Sequence, residues 1–257
     1  MNVRSAAAAL LVVAGTAVCW RLGFWQISRL HEKQALNAAL RAALAAPPIE
    51  AGDRPLPLAR ARDRRVSFHG RFDLAHQVLL SGRAQGGSPG VDVVTPLVLA
   101  GDTAAVLVDR GWLYSADAAT VPVDLIPGDS GRAVVGLAQA PARGGAYPPL
   151  RSIGTASAQV WSVPRLDPDS LRGRVPYALA PYVLRELPGP GVPEHPLRTD
   201  PRPFDEIMHV SYAIQWFLFG SILLFGSLLL ARSRRSGAGR TVARLDEEAP
   251  PAHDGAR

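Results

Sequence analysis

Two long apolar runs, one near each end of the chain, enclose a middle section of short alternating segments. The second run, residues 212–230, contains no charged residue and is followed at once by an arginine cluster that begins at Arg232. About 20 consecutive apolar residues are enough to span a bilayer as a helix. The run lacks the alternation of a barrel strand, the other structure that satisfies its own backbone in lipid. We therefore expect a C-terminal transmembrane helix over 204–231.

The first apolar run covers residues 5–20 and follows a basic start at Arg4. A charged start and an apolar core also characterise a cleaved signal peptide, but here no clean small-residue cleavage site follows. Good helix formers continue the pattern without a turn signal. We expect an uncleaved N-terminal transmembrane helix over 1–27 and a helical extension over 28–46, with a cleaved signal as the alternative.

The middle of the chain predicts a β-rich domain. Short runs of β-branched and aromatic residues are separated by glycine and proline, which is typical of strands and turns. The expected strands are 66–72, 77–80, 91–99, 105–113, 132–138, 159–163 and 182–186. A loop is expected at 86–90 and one short helix at 167–172. Regular short strands favour an antiparallel sheet or a small barrel.

The expected fold is therefore an α+β membrane protein, in which two transmembrane helices flank an extracytoplasmic β-rich domain. That domain covers 47–203 and includes a proline-rich connector over 187–203. Arginines lie outside both apolar runs, and such flanks stay on the cytoplasmic side. Both termini are thus expected in the cytoplasm. The tail, 232–257, starts basic and becomes acidic and proline-rich, which predicts disorder.

Composition narrows the class of function. The net charge is +6, but the arginines are scattered among prolines and glycines without a basic helix, which argues against nucleic acid as a partner. The single cysteine excludes an intramolecular disulfide. No phosphate-loop, dinucleotide, zinc-protease or serine-hydrolase motif occurs. The residues predict a membrane-tethered module that is not an enzyme, with a membrane-bound hydrolase as the enzymatic alternative.

His209 is the candidate functional residue. An ionisable side chain at the end of a membrane helix is a functional hypothesis in itself. On a helix, His209, Ala213, Trp216 and Gly220 lie near one face, and the small residues admit another helix or a flat ligand. The alternative is that His209 is an interfacial anchor beside Tyr212 and Trp216.

Further polar side chains bear on that histidine. Asp205 and Glu206 precede it, and either carboxylate would orient the ring by accepting its second N–H. On the first helix, Gln26, Arg29 and Lys33 fall on one face at i, i+3 and i+7. The ordinary interpretation of that stripe is a solvated helix face.

Motifs along nearly the whole chain carry a family resemblance. They are Gly23-x-Trp25-Gln26-x-x-Arg29-x-x-x-Lys33, Gly70-x-Phe72, Gly90 with Thr95-Pro96-Leu97, Val108-Asp109-Arg110-Gly111-Trp112, and His209-x-x-Tyr212-Ala213-x-Gln215-Trp216-Phe217. In this order they resemble the motifs of the surfeit-locus protein one family, or Shy-type family, of cytochrome c oxidase assembly factors. Asp109 stands where that family has asparagine. Met208 stands where the family often has asparagine, before the histidine.

The resemblance implies a membrane-anchored assembly factor that binds haem a transiently and aids its insertion into the catalytic subunit of the oxidase. The helix histidine carries over as the haem ligand, so His209 is the expected metal ligand, with Tyr212 and Trp216 beside it. Arg29 is an expected partner for a haem propionate. A cofactor-free scaffold that holds oxidase subunits is the alternative.

The resemblance also implies where the protein works and with what. The expected location is the inner membrane of a bacterium. The expected partners are the cytochrome c oxidase catalytic subunit, haem a synthase and the lipid bilayer.

Overall fold

A computed structural model describes residues 3–101, 103–122, 125–126, 132–141, 148–153 and 160–247. For residues 4 and 234–247 it describes the backbone alone. The chain forms two compact units. One combines Met1–Ala38 with Pro203–Arg257, and the other is Ala39–Arg202.

The first unit is built from two long helices, α1 (Val3–Ala45) and α3 (Ile207–Glu247). Stretches within Ser5–Ala45 and Ile207–Ser233 are long and apolar enough to cross a membrane. Their large apolar side chains point outward: Leu11 is 72% exposed and Leu229 is 66% exposed. Exposing such side chains to water is unfavourable, whereas lipid tails solvate them. Both helices are therefore compatible with a membrane protein.

The helix boundaries differ from the expected ones at the C-terminal end. α1 is continuous through the expected extension and ends at Ala45, just before Pro47-Pro48. α3 continues to Glu247, past the expected end at 231, since alanine, leucine and arginine favour helix there. Residues 248–257 of the expected disordered tail lie outside the described residues.

α1 and α3 pack against each other through glycines. A Cβ added at Gly220 would lie 2.5 Å from Trp20 Cδ1, and one at Gly15 would lie 2.9 Å from Leu223 Cδ2. The start of α1 therefore faces the far end of α3, which makes the pair antiparallel. Gly23 admits the ring of Phe217 in the same way, with 2.8 Å between the added Cβ and that ring. The small-residue face predicted for the second helix is thus used for helix packing.

The second unit is the β-rich domain. Its strands, within the described residues, are β1 (Ile49–Glu50), β2 (Arg65–Phe72), β3 (Val78–Gln85), β4 (Ser88–Leu99), β5 (Ala104–Tyr114), β6 (Ala133–Gln139), β7 (Arg151–Ser152), β8 (Trp161–Val163) and β9 (Ala178–Glu186). Two short helical turns accompany them, α2 (Leu58–Ala61) and a 3-10 helix, Pro168–Leu171. The order β2-β6-β9-β5-β4 closes on itself because β4 also pairs with β2. The expected small barrel is therefore present, with five strands.

Two features of the sheet differ from the sequence prediction. The expected antiparallel sheet is mixed, because β1–β2, β3–β8 and β5–β9 are parallel pairs. β5 and β9 lie far apart in the chain, and β6, which comes between them in sequence, pairs with β9 from its other side. The expected loop at 86–90 is only a two-residue turn at Gly86 and Gly87, whose φ values are +58° and +83°. Strand β4 already begins at Ser88.

The barrel interior holds a packed apolar core. Its fully buried members include Phe68, Leu97, Val108, Tyr182 and Leu184, which come from four of the five barrel strands. A second cluster packs Trp161 and Leu171 against β3 and β5 outside the barrel. The β domain therefore has a core of its own.

Candidate functional site

The site forms where α3 begins. Asp205 lies two residues before the helix, and its Oδ1 accepts the backbone N–H of Ile207 at 2.9 Å and of Met208 at 3.3 Å. A carboxylate there satisfies backbone donors that have no partner within the helix. This cap makes His209 the third residue of α3.

A buried asparagine on α1 holds the segment in front of that cap. Asn37, 2% exposed, donates to the carbonyl oxygen of Phe204 at 3.0 Å and accepts the Phe204 N–H at 2.8 Å. Its Nδ2 also donates to Glu206 Oε1 at 2.7 Å. Lys33 lies over the Phe204 ring, with Nζ 4.2 Å from the centroid. The start of α3 is therefore fixed against α1 by polar contacts on both sides.

His209 itself is half-buried and bonds to α1. Its Nδ1 lies 2.9 Å from Oε1 of Gln26, a side chain that is only 9% exposed. An amide oxygen only accepts, so Nδ1 carries the hydrogen. A neutral imidazole has one N–H, so Nε2 then presents a lone pair. In the part of the chain that is described, no other side chain or backbone group bonds to this ring.

Neither carboxylate expected to orient the ring does so. Asp205 caps the helix and Glu206 accepts from Asn37. The sequence did not indicate Gln26 as the partner of His209, although Gln26 belongs to the Gly23-x-Trp25-Gln26 motif. The available signal was the polar stripe of Gln26, Arg29 and Lys33 on one face of α1. We interpreted that stripe as a face exposed to solvent, which is wrong for Gln26, because Gln26 is buried against α3.

The other expected site residues lie close by along the two helices. Tyr212 follows His209 by one turn and is 45% exposed, and Trp216 packs edge-on against Phe219 with centroids 6.2 Å apart. Arg29 Nη1 bonds to Glu32 Oε2 at 2.6 Å, and its guanidinium lies 5.7 Å from the Trp25 ring centroid. Arg29 is therefore exposed but already paired.

The clearance expected for a flat ligand is filled. Ala213 is 6% exposed, and Gly220 receives the Trp20 ring from α1. The face open beside His209 is instead the one that carries Tyr212. The small residues on this helix serve helix packing rather than ligand access.

A second polar cluster lies in the β domain. A cavity of about 170 Å³ is lined by charged side chains, among them Arg83, Asp92, Asp109, Arg185, Glu186 and Arg198. Arg83 Nε lies 3.0 Å from Asp92, and Arg185 donates to Thr199 at 3.2 Å. These charged side chains have partners within the β domain, so the structure of the domain itself explains the cluster.

The Asp109-Arg110-Gly111-Trp112 motif lies at this cluster. Gly111 has φ +111°, and an added Cβ would lie 2.5 Å from the Leu197 oxygen, so only glycine fits. Trp112 exchanges two backbone hydrogen bonds with Leu197, of 2.9 and 2.7 Å. The proline-rich connector is therefore anchored to strand β5.

The charged side chains of this cluster form two groups, a glutamate paired with arginines and a pair of aspartates. Arg198 donates to the buried Glu186 through Nε at 3.0 Å and Nη2 at 2.8 Å, and Arg132 lies 2.6 Å from the same carboxylate. Burial, with the negative charge of Asp92 added, raises the pKa of Asp109 to about 6. Burial also raises the pKa of Asp92. Burial thus opposes the charged form of both aspartates.

Among the described residues, no group of three or more histidine, cysteine, aspartate or glutamate side chains is placed to hold a metal ion.

Comparison with known proteins places the chain in a family. The SURF1 family model matches residues 13–221, which include the β domain and part of each apolar run. A SURF1-like protein of Monosiga brevicollis is 34% identical over 111 residues, 39% of this chain and 42% of that protein. A SURF1-like protein of Rickettsia felis is 34% identical over 109 residues, 40% of this chain and 45% of that protein. The matched stretches thus span less than half of each relative. The family match covers most of the chain, and the chain belongs to the SURF1 family.

Proposed function

We propose that this chain is a membrane-anchored assembly factor for cytochrome c oxidase, which binds haem a at His209 and aids its insertion into the catalytic subunit. SURF1 family membership supports the role in oxidase assembly, with which the family is generally associated. The observation that carries the haem step is the imidazole of His209. Gln26 holds its Nδ1–H, which leaves the Nε2 lone pair for a ligand.

The donor set fits a haem iron. Neutral imidazole is a normal axial ligand, and ligating histidines usually donate their other N–H to a fixed acceptor. When bound, the haem supplies an iron that accepts the Nε2 lone pair. The residues contribute the rest: Gln26 orients the ring, and the exposed Tyr212 and the partly buried Trp216 offer an aromatic surface to an apolar macrocycle.

Arg29 is proposed as the partner of a haem propionate. Its guanidinium is 48% exposed and lies one turn after Gln26 on α1, so a second carboxylate can reach it. Such a carboxylate competes with Glu32, which already accepts from Arg29 at 2.6 Å. A propionate that shares this arginine gains a charge-assisted hydrogen bond.

The proposed location is the inner membrane of a bacterium, with both termini in the cytoplasm and the β domain outside it. The exposed apolar side chains of α1 and α3 support a lipid environment. The arginines that follow residue 230 support the orientation. The proposed partners are the oxidase catalytic subunit and haem a synthase, and the proposed role involves binding and delivery without a chemical step.

A cofactor-free scaffold is the second candidate. The hydrogen bond between Gln26 and His209 also joins α1 to α3, and a buried polar pair in a membrane helix needs such a partner whether or not haem binds. On this account His209 only holds the helices together while oxidase subunits assemble around them.

Complementation separates these functions. Cells that lack this gene would receive the wild-type chain, His209→Ala, or His31→Ala, which changes an exposed histidine on the same helix pair. The haem a content of the membrane oxidase is measured at equal levels of each chain. We expect restoration by wild type and His31→Ala, and loss with His209→Ala. Full restoration by His209→Ala would show that the function needs no ligand at His209, and normal oxidase in the deleted strain would reject both.

A further inference from the structure

Gln26 is an unusual residue at its position in α1. It lies within a helix of membrane-spanning character and is only 9% exposed. Polar groups in such places are costly and are normally paired. Its recorded partner is His209, through Oε1 and Nδ1 at 2.9 Å.

We propose that Gln26 is the positioning residue of His209: its side-chain oxygen holds the imidazole in the Nδ1–H tautomer and so leaves Nε2 as the ligand atom. The tautomer follows from the bonded geometry and holds without haem. The consequence for haem rests on the function proposed above, so the two are tested separately.

The choice of an amide rather than a carboxylate follows from the surroundings. Asp205 and Glu206 are occupied by the cap of α3 and by Asn37. A carboxylate on the ring favours the imidazolium, which has no lone pair to give a metal. The amide of Gln26 orients the ring without adding a negative charge.

Contacts on both sides of the pair fix its geometry. On one side, the ring of Phe217 fills the space over Gly23. On the other, Asn37 bonds to both backbone groups of Phe204. The offset of α1 and α3 is therefore set independently of Gln26, which makes Gln26 a device for orienting the ring rather than for joining the helices.

The tautomer is measured directly by NMR on the haem-free, full-length chain in detergent. Histidine labelled with ¹⁵N reports which ring nitrogen carries hydrogen, and His209→Ala identifies the signal. The spectrum is recorded at about pH 8, where an ordinary histidine is neutral. We expect a protonated Nδ1 and a bare Nε2 in the wild type. A protonated Nε2 in the wild type would overturn the proposal without any variant.

Variants of Gln26 test whether its side chain sets the tautomer of His209. Gln26→Leu removes the acceptor at similar volume and should shift the signal of His209 towards the Nε2–H tautomer. Gln26→Glu keeps an oxygen acceptor and should keep Nδ1 protonated, but its carboxylate should raise the share of the imidazolium. Gln34→Leu, an exposed glutamine on the same helix, is the matched control and should change nothing. An unchanged tautomer in Gln26→Leu contradicts the assignment.

The effect on haem is then read in the same variants. Loss of the group that orients a metal-bound histidine typically lowers metal affinity 10–100-fold. Gln26→Leu should therefore bind haem a with an affinity roughly 10–100-fold lower than that of the wild type. A wild type that retains no haem defeats the proposed function while the tautomer result stands. Equal retention in wild type and Gln26→Leu defeats the positioning role while the proposed function stands.

Discussion

Replacing Asp109 with asparagine should stabilise the β domain in neutral solution. Asp109 lies on β5, where burial and the nearby charge of Asp92 raise its pKa to about 6 from an ordinary 3.8. Its Oδ1 accepts the backbone N–H of Gly111 at 3.1 Å. Asparagine keeps that oxygen and removes the charge. The change therefore isolates the electrostatic cost of a buried carboxylate.

The size of the effect follows from the pKa. A shift of about 2 units at 1.36 kcal/mol each is about 3 kcal/mol of preference for the neutral form in the folded state. Because the folded chain binds this proton more tightly than the unfolded chain, stability falls as the pH rises from about 4 through about 6. Above about pH 6 the charge of Asp109 destabilises the folded state in full, and below about pH 4 this destabilisation is absent. Asp109→Asn should thus gain up to about 3 kcal/mol at about pH 8 and little at about pH 4.

Urea unfolding of the full-length chain in detergent, followed by pulse proteolysis of the β domain, measures this difference at both pH values. Asp92→Asn is the matched control, since it removes the neighbouring charge but also the ion pair of 3.0 Å with Arg83. It should gain less. A loss of stability in Asp109→Asn at about pH 8, or an equal gain at both pH values, would refute the reasoning.

Two further changes test the packing of each unit. Gly220→Cys should form a disulfide with Cys19 on mild oxidation, because the added Cβ lies 3.2 Å from the Cys19 Cβ. The Trp20 ring, 2.5 Å from the same Cβ, must rotate aside, and thiol labelling should then fall. Gly226→Cys, whose Cβ meets nothing within 4 Å, should stay labelled, and equal labelling of both variants would contradict the helix register. Glu186→Gln removes the charge that two arginines share in the β domain and should cost about 3–5 kcal/mol of unfolding free energy in the urea assay. An unchanged urea midpoint would show that the cluster contributes no net stability.

Local pattern was sufficient for the elements that depend on nearby residues. The apolar runs predicted both helices, and alternation predicted strands such as 105–113, which are observed as Ala104–Tyr114. The parallel pairing of β5 with β9 was missed because it joins strands that are far apart in sequence, and periodicity does not encode which distant strands pair. The extent of β4 was missed because Gly86 and Gly87 turn the chain in fewer residues than the glycine-rich segment indicated.

The candidate site was predictable in its histidine but not in its partner. His209 was singled out by its place at a membrane-helix end. Its bond to Gln26, 183 residues away in sequence, depends on the offset between two helices, and that offset is set by packing at Gly220 and Gly23. The carboxylates next to His209 in sequence were the natural candidates, but the helix cap and Asn37 occupy them.

The central claim is that His209 ligates haem a, and the haem content of the purified chain tests it most directly. Wild type, His209→Ala and the control His31→Ala would be produced in cells that synthesise haem a, at equal membrane levels, and haem a per chain measured after purification. The account predicts a Soret band and bound haem a in the wild type and in His31→Ala, and loss of both in His209→Ala. Equal haem a in the wild type and His209→Ala would contradict it.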